Sequence, residues 1–397
     1  MSETVGSLFK HISRRNSDMK NGNVITNSAE YGLIPQRDFF DKDIAVEGNT
    51  DKYYIIEHGD FVYNPRKSTA APYGPFNCYR GKEEGIVSPL YTCLKPLRPE
   101  LTDFLLWYFR SSAWHSYIYH NGAQGGARHD RVGMTNDLMD GIPISIPCSE
   151  ERRKISDFLS LLEHRVAVQQ KIVDALKSYK RGLSNSFFEA IEASEDCKNY
   201  LFGEIFALLQ NNTFSREDLS ILNGSVRNIH YGDILVKYGA IVNLALDDVP
   251  CIRADADLHK FMGNSYLRDG DIVIADTAED YSVGKATEII GASGIEVLSG
   301  LHTIPCRPTI EFSPMYLGYY LNSTRFREQI YPMVQGTKVS SISKSEIVKA
   351  SILVPPKSEQ RKIASVLYAI DRRIMFEDLK VQALVNAKAA LLQQLFI

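Results

Sequence analysis

The sequence lacks the motifs that would make it a self-sufficient enzyme. Nothing matches GxxxxGK[ST]; Gly81-Lys82 and Gly284-Lys285 have no upstream glycine with which to cradle a phosphate. No GxGxxG follows a strand pattern. The Asn-Pro-Pro-aromatic tetrad of adenine methyltransferases is missing, and Pro355-Pro356 opens a helical stretch instead. The cysteines at 78, 93, 148, 197, 251 and 306 are scattered, with no CxxC pair and no histidines at zinc spacing. That usage fits a reduced, cytoplasmic setting. The N-terminal stretch MSETVGSLFKHISRR has no apolar signal-peptide core. The most apolar run, Phe104 to Phe109, is far too short to cross a bilayer. Basic excess is lacking too: the formal net charge is −3, which argues mildly against a nucleic-acid binder with charge all round. Binding needs only one basic face, however, and basic residues do gather locally, at Lys10 to Arg15, Arg66-Lys67, Arg128 to Arg131, Arg152 to Lys154 and Lys177 to Arg181.

A long repeat dominates what is present. Residues 146–188 align without a gap to residues 354–396. Pro147 falls on Pro355, Glu151 on Glu359, and Arg153-Lys154-Ile155 on Arg361-Lys362-Ile363. Leu159, Arg165, Val173, Leu176, Lys180, Leu183 and Phe188 fall on Leu367, Arg373, Val381, Leu384, Lys388, Leu391 and Phe396. Repetition over this length indicates internal duplication. In each copy apolar residues step by four and three, from Ile155 to Phe187 and from Ile363 to Leu395, which is a coiled-coil seam. Both seams are interrupted at matching places, by Gln169 and Glu377 and by Lys180 and Lys388. Polar seam residues cost stability but can fix register and partner. A helix of this length spans about 60 Å.

The chain therefore reads as globular segment, helix, globular segment, helix, with boundaries at 1–145, 146–190, 198–353 and 354–397 and an acidic linker before Lys198. In the first globular segment, 31–40, 53–64 and 86–94 read as strands, 103–119 as an aromatic-faced helix and 143–147 as a last strand. In the second, GDILV (232–236) and GDIVIAD (270–276) read as strands following Gly-Asp turns, 315–321 as a helix and 351–355 as a last strand. WYFRSS (107–112) precedes Gln124-Gly125 much as YYLNST (319–324) precedes Gln335-Gly336. The globular segments thus look duplicated as well, though more diverged than the helices.

Three loops carry residue types suited to DNA. One offers Tyr63, Asn64, Arg66, Lys67 and Ser68; one offers Gln124, Gly125, Gly126, Arg128, His129 and Arg131; one offers Gln335, Gly336, Thr337, Lys338 and Ser340. Arg or Lys reads guanine and Gln or Asn reads adenine, while hydroxyls and backbone amides hold phosphates. An ordinary Gly-rich connection is the plainer reading of each; the equivalent placing of the last two favours a shared role.

With these segments in view, the chain resembles the DNA-specificity subunits of bacterial type I restriction–modification systems over nearly its whole length. The resemblance is carried by the helix openings IPCSEERRKI and VPPKSEQRKI, and by SAEYGLIPQRDFF (28–40), GDFVYNPRKS (59–68) and GGARHDRVGM (125–134). Gln360 keeps the family's glutamine; Arg152 replaces it. The resemblance implies an α+β fold in which two mixed α/β target-recognition domains are separated by two long helices, packed as an antiparallel coiled coil in a pseudo-two-fold, cyclic arrangement. It implies a non-catalytic chain that reads a bipartite, asymmetric site in double-stranded DNA. Partners would be two methyltransferase subunits and ATP-driven restriction subunits, with S-adenosylmethionine, ATP and Mg on those partners and no cofactor or membrane contact here. The matching helix faces, with Arg153, Lys154 and Arg165 and with Arg361, Lys362 and Arg373, are expected to bind them. A coiled-coil adaptor joining two ligand-binding domains without nucleic acid is the main rival. A stand-alone nuclease or methyltransferase is opposed by the missing motifs.

Overall fold

A computed structural model describes residues 2–39, 50–122, 130–220, 224–336 and 338–396, with the side chains of residues 2, 38 and 39 left aside. Two helices of unusual length, Ser149–Glu192 and Lys357–Leu395, account for the repeat. Carboxylates sit in both first turns, Glu150 and Glu151 in one and Glu359 in the other, where unsatisfied N–H groups favour negative charge. Arg152 Nη1 donates to the Pro147 carbonyl at 3.1 Å, and Gln360 Nε2 donates to the Pro355 carbonyl at 2.8 Å. The arginine that replaces the glutamine thus ties down the same carbonyl. Gln360 also accepts from Ser313 N, anchoring its helix to the second globular segment.

The chain divides into two compact units: Met1–Gln170 with Leu379–Ile397, and Lys171–Asp378. Each contains one globular head, part of the first long helix and part of the second. Inside the second unit, Lys177 meets Asp378 and Lys180 meets Asp371. One helix number rises while the other falls, so the segments run antiparallel. Inside the first unit, Lys388 meets Glu163, and Leu392 shares a core with Leu159.

Each head is closed by a strand pair beside a long helix's start. Ser2–Thr4 pairs antiparallel with Pro143–Ser145, and Lys198–Leu201 with Ser351–Val354. The first head's main sheet has the order Phe9–His11, Thr92–Pro96, Phe61–Tyr63, Phe76–Cys78. The second begins alike, with Phe206–Leu208, Thr303–Pro308 and Ile272–Ala275, then adds Ala286–Ile290 and Ile241–Asn243. A separate four-stranded sheet, 219–220, 251–252, 227–229 and 297–299, enlarges it further.

The C-terminal end of each long helix supplies an aromatic anchor, Phe188 inside its helix and Phe396 just past its helix. Phe396 packs against Phe104 and Tyr108, with ring centroids 5.4 and 6.1 Å away. Phe188 packs against Tyr316 and Tyr320 at 6.3 and 5.4 Å. Burying a side chain of this kind is worth roughly 1.5–3 kcal/mol, so each head clasps a helix end through the same contact. The seam reading needs one amendment here. Leu395, its last expected member, is 38% exposed, and the neighbouring Phe396 turns inward instead.

Several local expectations change. The 31–40 segment is a strand only over Gly32–Pro35, then a helical turn over Gln36–Phe39. The 86–94 stretch is two strands, Gly85–Val87 and Thr92–Pro96. The aromatic helix is two helices, Thr102–Arg110 and His115–Asn121. Ser111 breaks it by folding its hydroxyl back to donate to the Tyr108 carbonyl. GDILV is not a strand. Residues Tyr231–Val236 form a helix, capped by His230 Nδ1 accepting from Gly232 N, with Asp233 in its first turn paired to Arg216.

Candidate nucleic-acid interface

The two heads build one surface feature in the same way. A glycine at positive φ turns the chain into a central strand: Gly59 (φ +92°) before Phe61–Tyr63 and Gly270 (φ +85°) before Ile272–Ala275. The next residue, a buried aspartate, holds the turn. Asp60 accepts from Glu57 N at 2.7 Å and Asp271 from Arg268 N at 2.8 Å. Burial pushes the Asp60 carboxyl up to about 6, while Asp271 is bound by Arg307.

Past each central strand the chain pairs with the segment that follows the Gly loop. In the first head Arg66 bridges Arg131, Lys67 N donates to the Asp130 carbonyl at 2.9 Å, and Val132 N donates to the Pro65 carbonyl at 2.8 Å. In the second head Thr277–Ala278 pairs with Ser340–Ser341. Gln335 and Ser341 exchange backbone bonds of 2.9 and 2.8 Å around Gly336, whose φ is +107°. The structure thus brings two of the three expected loops together, 63–68 with Arg131.

Within that feature the side chains sort clearly. Arg66, Lys67 and Ser68 are exposed, as are Gln335, Gly336 and Lys338; Arg131 and Ser340 are half-buried. The Arg131 Nε has no hydrogen-bond partner among the described residues. Tyr63 is not part of the surface. It is wholly buried, its hydroxyl donates to the Tyr73 carbonyl at 2.7 Å, and its ring lies edge-on to Phe76 and Trp114. On a strand, alternate residues share a face, so the position that puts Phe61 in the core puts Tyr63 there too. Asn64 is half-buried and structural: its side-chain oxygen accepts from Arg66 N at 3.0 Å and shapes the turn. Gln124, Gly125, Gly126, Arg128, His129 and Thr337 lie outside the described residues.

The helical polar breaks acquire partners. Lys388 Nζ donates to Glu163 at 2.5 Å, and Lys180 Nζ donates to Asp371 at 2.5 Å. Glu163 and Asp371 occupy matching positions in the two repeats, so these are the same pair made twice. Each is backed by its head. Arg110 donates to Glu163 and lies over Trp107; the Tyr319 hydroxyl donates to Asp371 and its ring lies under Lys180. Burial alone would raise the Glu163 carboxyl, but the bond and charge of Lys388, with Arg110, outweigh it and hold it below its ordinary value.

Arg153, Lys154, Arg165, Arg361, Lys362 and Arg373 are all exposed. Lys154, Lys362 and Arg373 pair with acids of their own helix, Glu150, Glu359 and Glu377. Sequence reasoning missed the apolar residues beside them. Phe158, Leu161 and Val168 stand exposed in the first unit, and Tyr179, Met375 and Phe376 in the second. Their signal was a second three-four spacing alongside the seam, through Phe158, Leu161, Arg165 and Val168.

No family model matches the sequence. A curated protein of Methanocaldococcus jannaschii, named for the specificity subunit of the type I restriction enzyme MjaX, is 22% identical over 360 residues, covering 87% of this chain and 79% of that one. A chain solved in work on complex assembly and conformational transition of a type I restriction–modification system matches with a TM-score of 0.57 at 15% identity, covering 100% and 97% of the two chains. The specificity subunit of Mycoplasma genitalium matches with a TM-score of 0.52, also at 15% identity, over 100% and 96%. The chain has the fold of a type I specificity subunit. The doubled heads, the doubled clasp at Phe188 and Phe396 and the doubled ion pair are how this sequence builds that specificity-subunit fold. Among the described residues no helix is long and apolar enough to cross a membrane.

Proposed function

We propose that this chain is the non-catalytic DNA-reading subunit of a type I restriction–modification complex. It reads a bipartite, asymmetric site and directs adenine methylation and restriction by partner subunits in the cytoplasm. The observation that carries this reading is the surface feature built twice with different side chains. One backbone construction presents Arg66, Lys67 and Arg131 in the first head and Gln335, Lys338 and Ser340 in the second. A shared frame with unlike donors suits two half-sites of unlike sequence, since base edges are told apart by donor and acceptor pattern.

Two methyltransferase subunits would dock on the matching helix faces, using Arg153, Lys154 and Arg165 with Arg361, Lys362 and Arg373 around the exposed apolar residues. S-adenosylmethionine, ATP and Mg belong to the partners. The test is to map methyl-adenine in a host expressing this chain with its methyltransferase partner. A split motif that vanishes when this chain is left out supports the reading; methylation that is absent or has no motif overturns it.

A further inference from the structure

The second head's paired edge has little positive charge. In the first head the segment leaving the central strand carries Arg66 and Lys67 and meets Arg131. Its counterpart in the second head reads Asp276-Thr277-Ala278-Glu279-Asp280 and meets Ser340-Ser341, so neither paired strand brings a cation. A duplex is equally anionic under both heads, and phosphate contacts supply much of the affinity. With Lys338 as the cation of its hairpin, the second head draws further cations from nearby.

They lie at the next turn of the same segment, with Lys285, and on the adjacent helix Thr324–Ile330, with Arg327. Past Asp280 the chain runs through Tyr281 and Ser282, and Gly284 N returns to donate to the Ala275 carbonyl at 2.8 Å. Gly284 has φ +81°, and a Cβ there would lie 2.4 Å from Ile330 Cδ1, so the turn requires glycine. Beside it opens a cavity of about 400 Å³ bordered by Ser282, Lys285, Asn322, Arg327, Tyr319 and Lys180. Lys180 is committed to Asp371. Lys285 and Arg327 are in no ion pair among the described residues. Lys285 Nζ has the Leu235 carbonyl, 2.8 Å away. Burial, then the charges of Arg327 and Lys180, lower its pKa, so positive charge is crowded here. Arg327 Nη2 donates to the Tyr281 carbonyl at 2.5 Å and its guanidinium lies over Tyr331, while Nη1 is buried and has no hydrogen-bond partner among the described residues. The nearby acid, Asp280, accepts from Ser282 N, and that bond, with a smaller contribution from the charge of Arg327, holds its carboxyl below the ordinary value.

We propose that this cavity is the phosphate clamp of the second head, with Lys285 and Arg327 gripping one backbone phosphodiester of its half-site. The inference rests on the DNA-reading function proposed above. The cavity's charge suits a backbone phosphate of the duplex, and an acidic partner surface is the alternative that the test separates. Gly284 N bonds to the Ala275 carbonyl and Ile342 N to the Asp276 carbonyl, so the cavity rim and the segment after Gln335 are tied to opposite edges of the same extended segment. Tyr281, 86% exposed, precedes the turn and is open to a sugar or base. An arginine fork beside an ammonium is a suitable pair for a phosphate.

The test measures DNA binding by the full chain with its methyltransferase partner as salt is varied, for wild type, Lys285→Met, Arg327→Gln and Arg327→Lys. Each lost phosphate contact should reduce the slope of log K against log salt by about 0.9. Lys285→Met and Arg327→Gln should each weaken binding by about tenfold at moderate salt, equally for cognate and unrelated sequences, and leave the methylated motif unchanged. Arg327→Lys should keep most of the wild-type slope. Unchanged slopes in both neutral variants overturn the clamp while leaving DNA reading intact. A changed motif overturns it in favour of base reading, and a lost methyltransferase subunit overturns it in favour of a partner contact. If the wild-type complex itself binds no DNA, the proposed function falls and the clamp with it.

Discussion

Replacing Lys388 with methionine breaks the polar pair in the helical seam of the first unit. Lys388 Nζ lies 2.5 Å from Glu163, and the two side chains are 23% and 41% exposed. Exposed pairs are worth about 0.2–1 kcal/mol, and breaking a fully buried one costs about 3–5 kcal/mol. This pair lies between those limits, and Arg110, 3.3 Å from Glu163, remains to compensate the carboxylate. A loss of about 1–2 kcal/mol follows. In a unit of roughly 190 residues that lowers Tm by about 2–8 °C. Adding Glu163→Leu should recover most of the loss, because the surrounding seam is apolar and an apolar pair is often no worse than an ionic one. Lys180→Met should lower the second unit's stability by a similar amount, since Asp371 retains the Tyr319 hydroxyl. The assay is calorimetry of the full chain, resolving the two transitions if the units melt separately. Melting of Lys388→Met within about 1 °C of wild type would refute the reasoning, and so would a double variant less stable than the single.

Tyr63→Phe should cost about 1–2 kcal/mol through the unsatisfied Tyr73 carbonyl and leave DNA binding and the methylated motif unchanged; a changed motif would return Tyr63 to the reading surface. Alanine at Arg66, Lys67 or Arg131 should each weaken binding, by about 1–3 kcal/mol with relaxation of one base where the residue reads a base, or uniformly with a smaller salt slope where it holds a phosphate; gel shifts against the cognate site and its variants distinguish the two. Glu288, buried and accepting from Met315 N and Gly318 N, has its carboxyl pushed up to about 7 by burial. The folded state therefore holds that proton more tightly than the unfolded chain, so the stability it contributes is full below the ordinary carboxyl value and is lost as pH rises through about 7. Melting curves from about pH 5 to 8 should fall more steeply for wild type than for Glu288→Gln.

The long helices were legible because the period of 3.5 was sustained over many turns and stated twice. Even the partners of Lys180 and Lys388 could have been found, since sliding the two seams antiparallel sets Lys180 against Asp371 and Lys388 against Glu163. The heads were less legible because their strands are mostly two to four residues long. Three alternating residues cannot separate ILV in a helix (234–236) from IVI in a strand (272–274); the difference lay in Asp233, which favours a helix start, and in Asp271, which holds a turn. Tyr63 was misjudged for another reason. Its neighbours Arg66 and Lys67 drew the whole motif to the surface, although the strand period already assigned it to the core with Phe61. The clamp at Lys285 and Arg327 had no sequence signal, because the two residues are brought together only by the turn at Gly284.

The central claim is that each head reads one half-site on its own, and exchanging one head tests it most directly. Residues 1–145 would be replaced by the corresponding segment of a relative with a different motif, leaving both long helices and the second head intact. The hybrid would then be expressed with the methyltransferase partner, and methyl-adenine mapped across the host genome. The account predicts a new motif in which one half is the donor's and the other is unchanged. A motif altered in both halves, or unaltered in either, would contradict it.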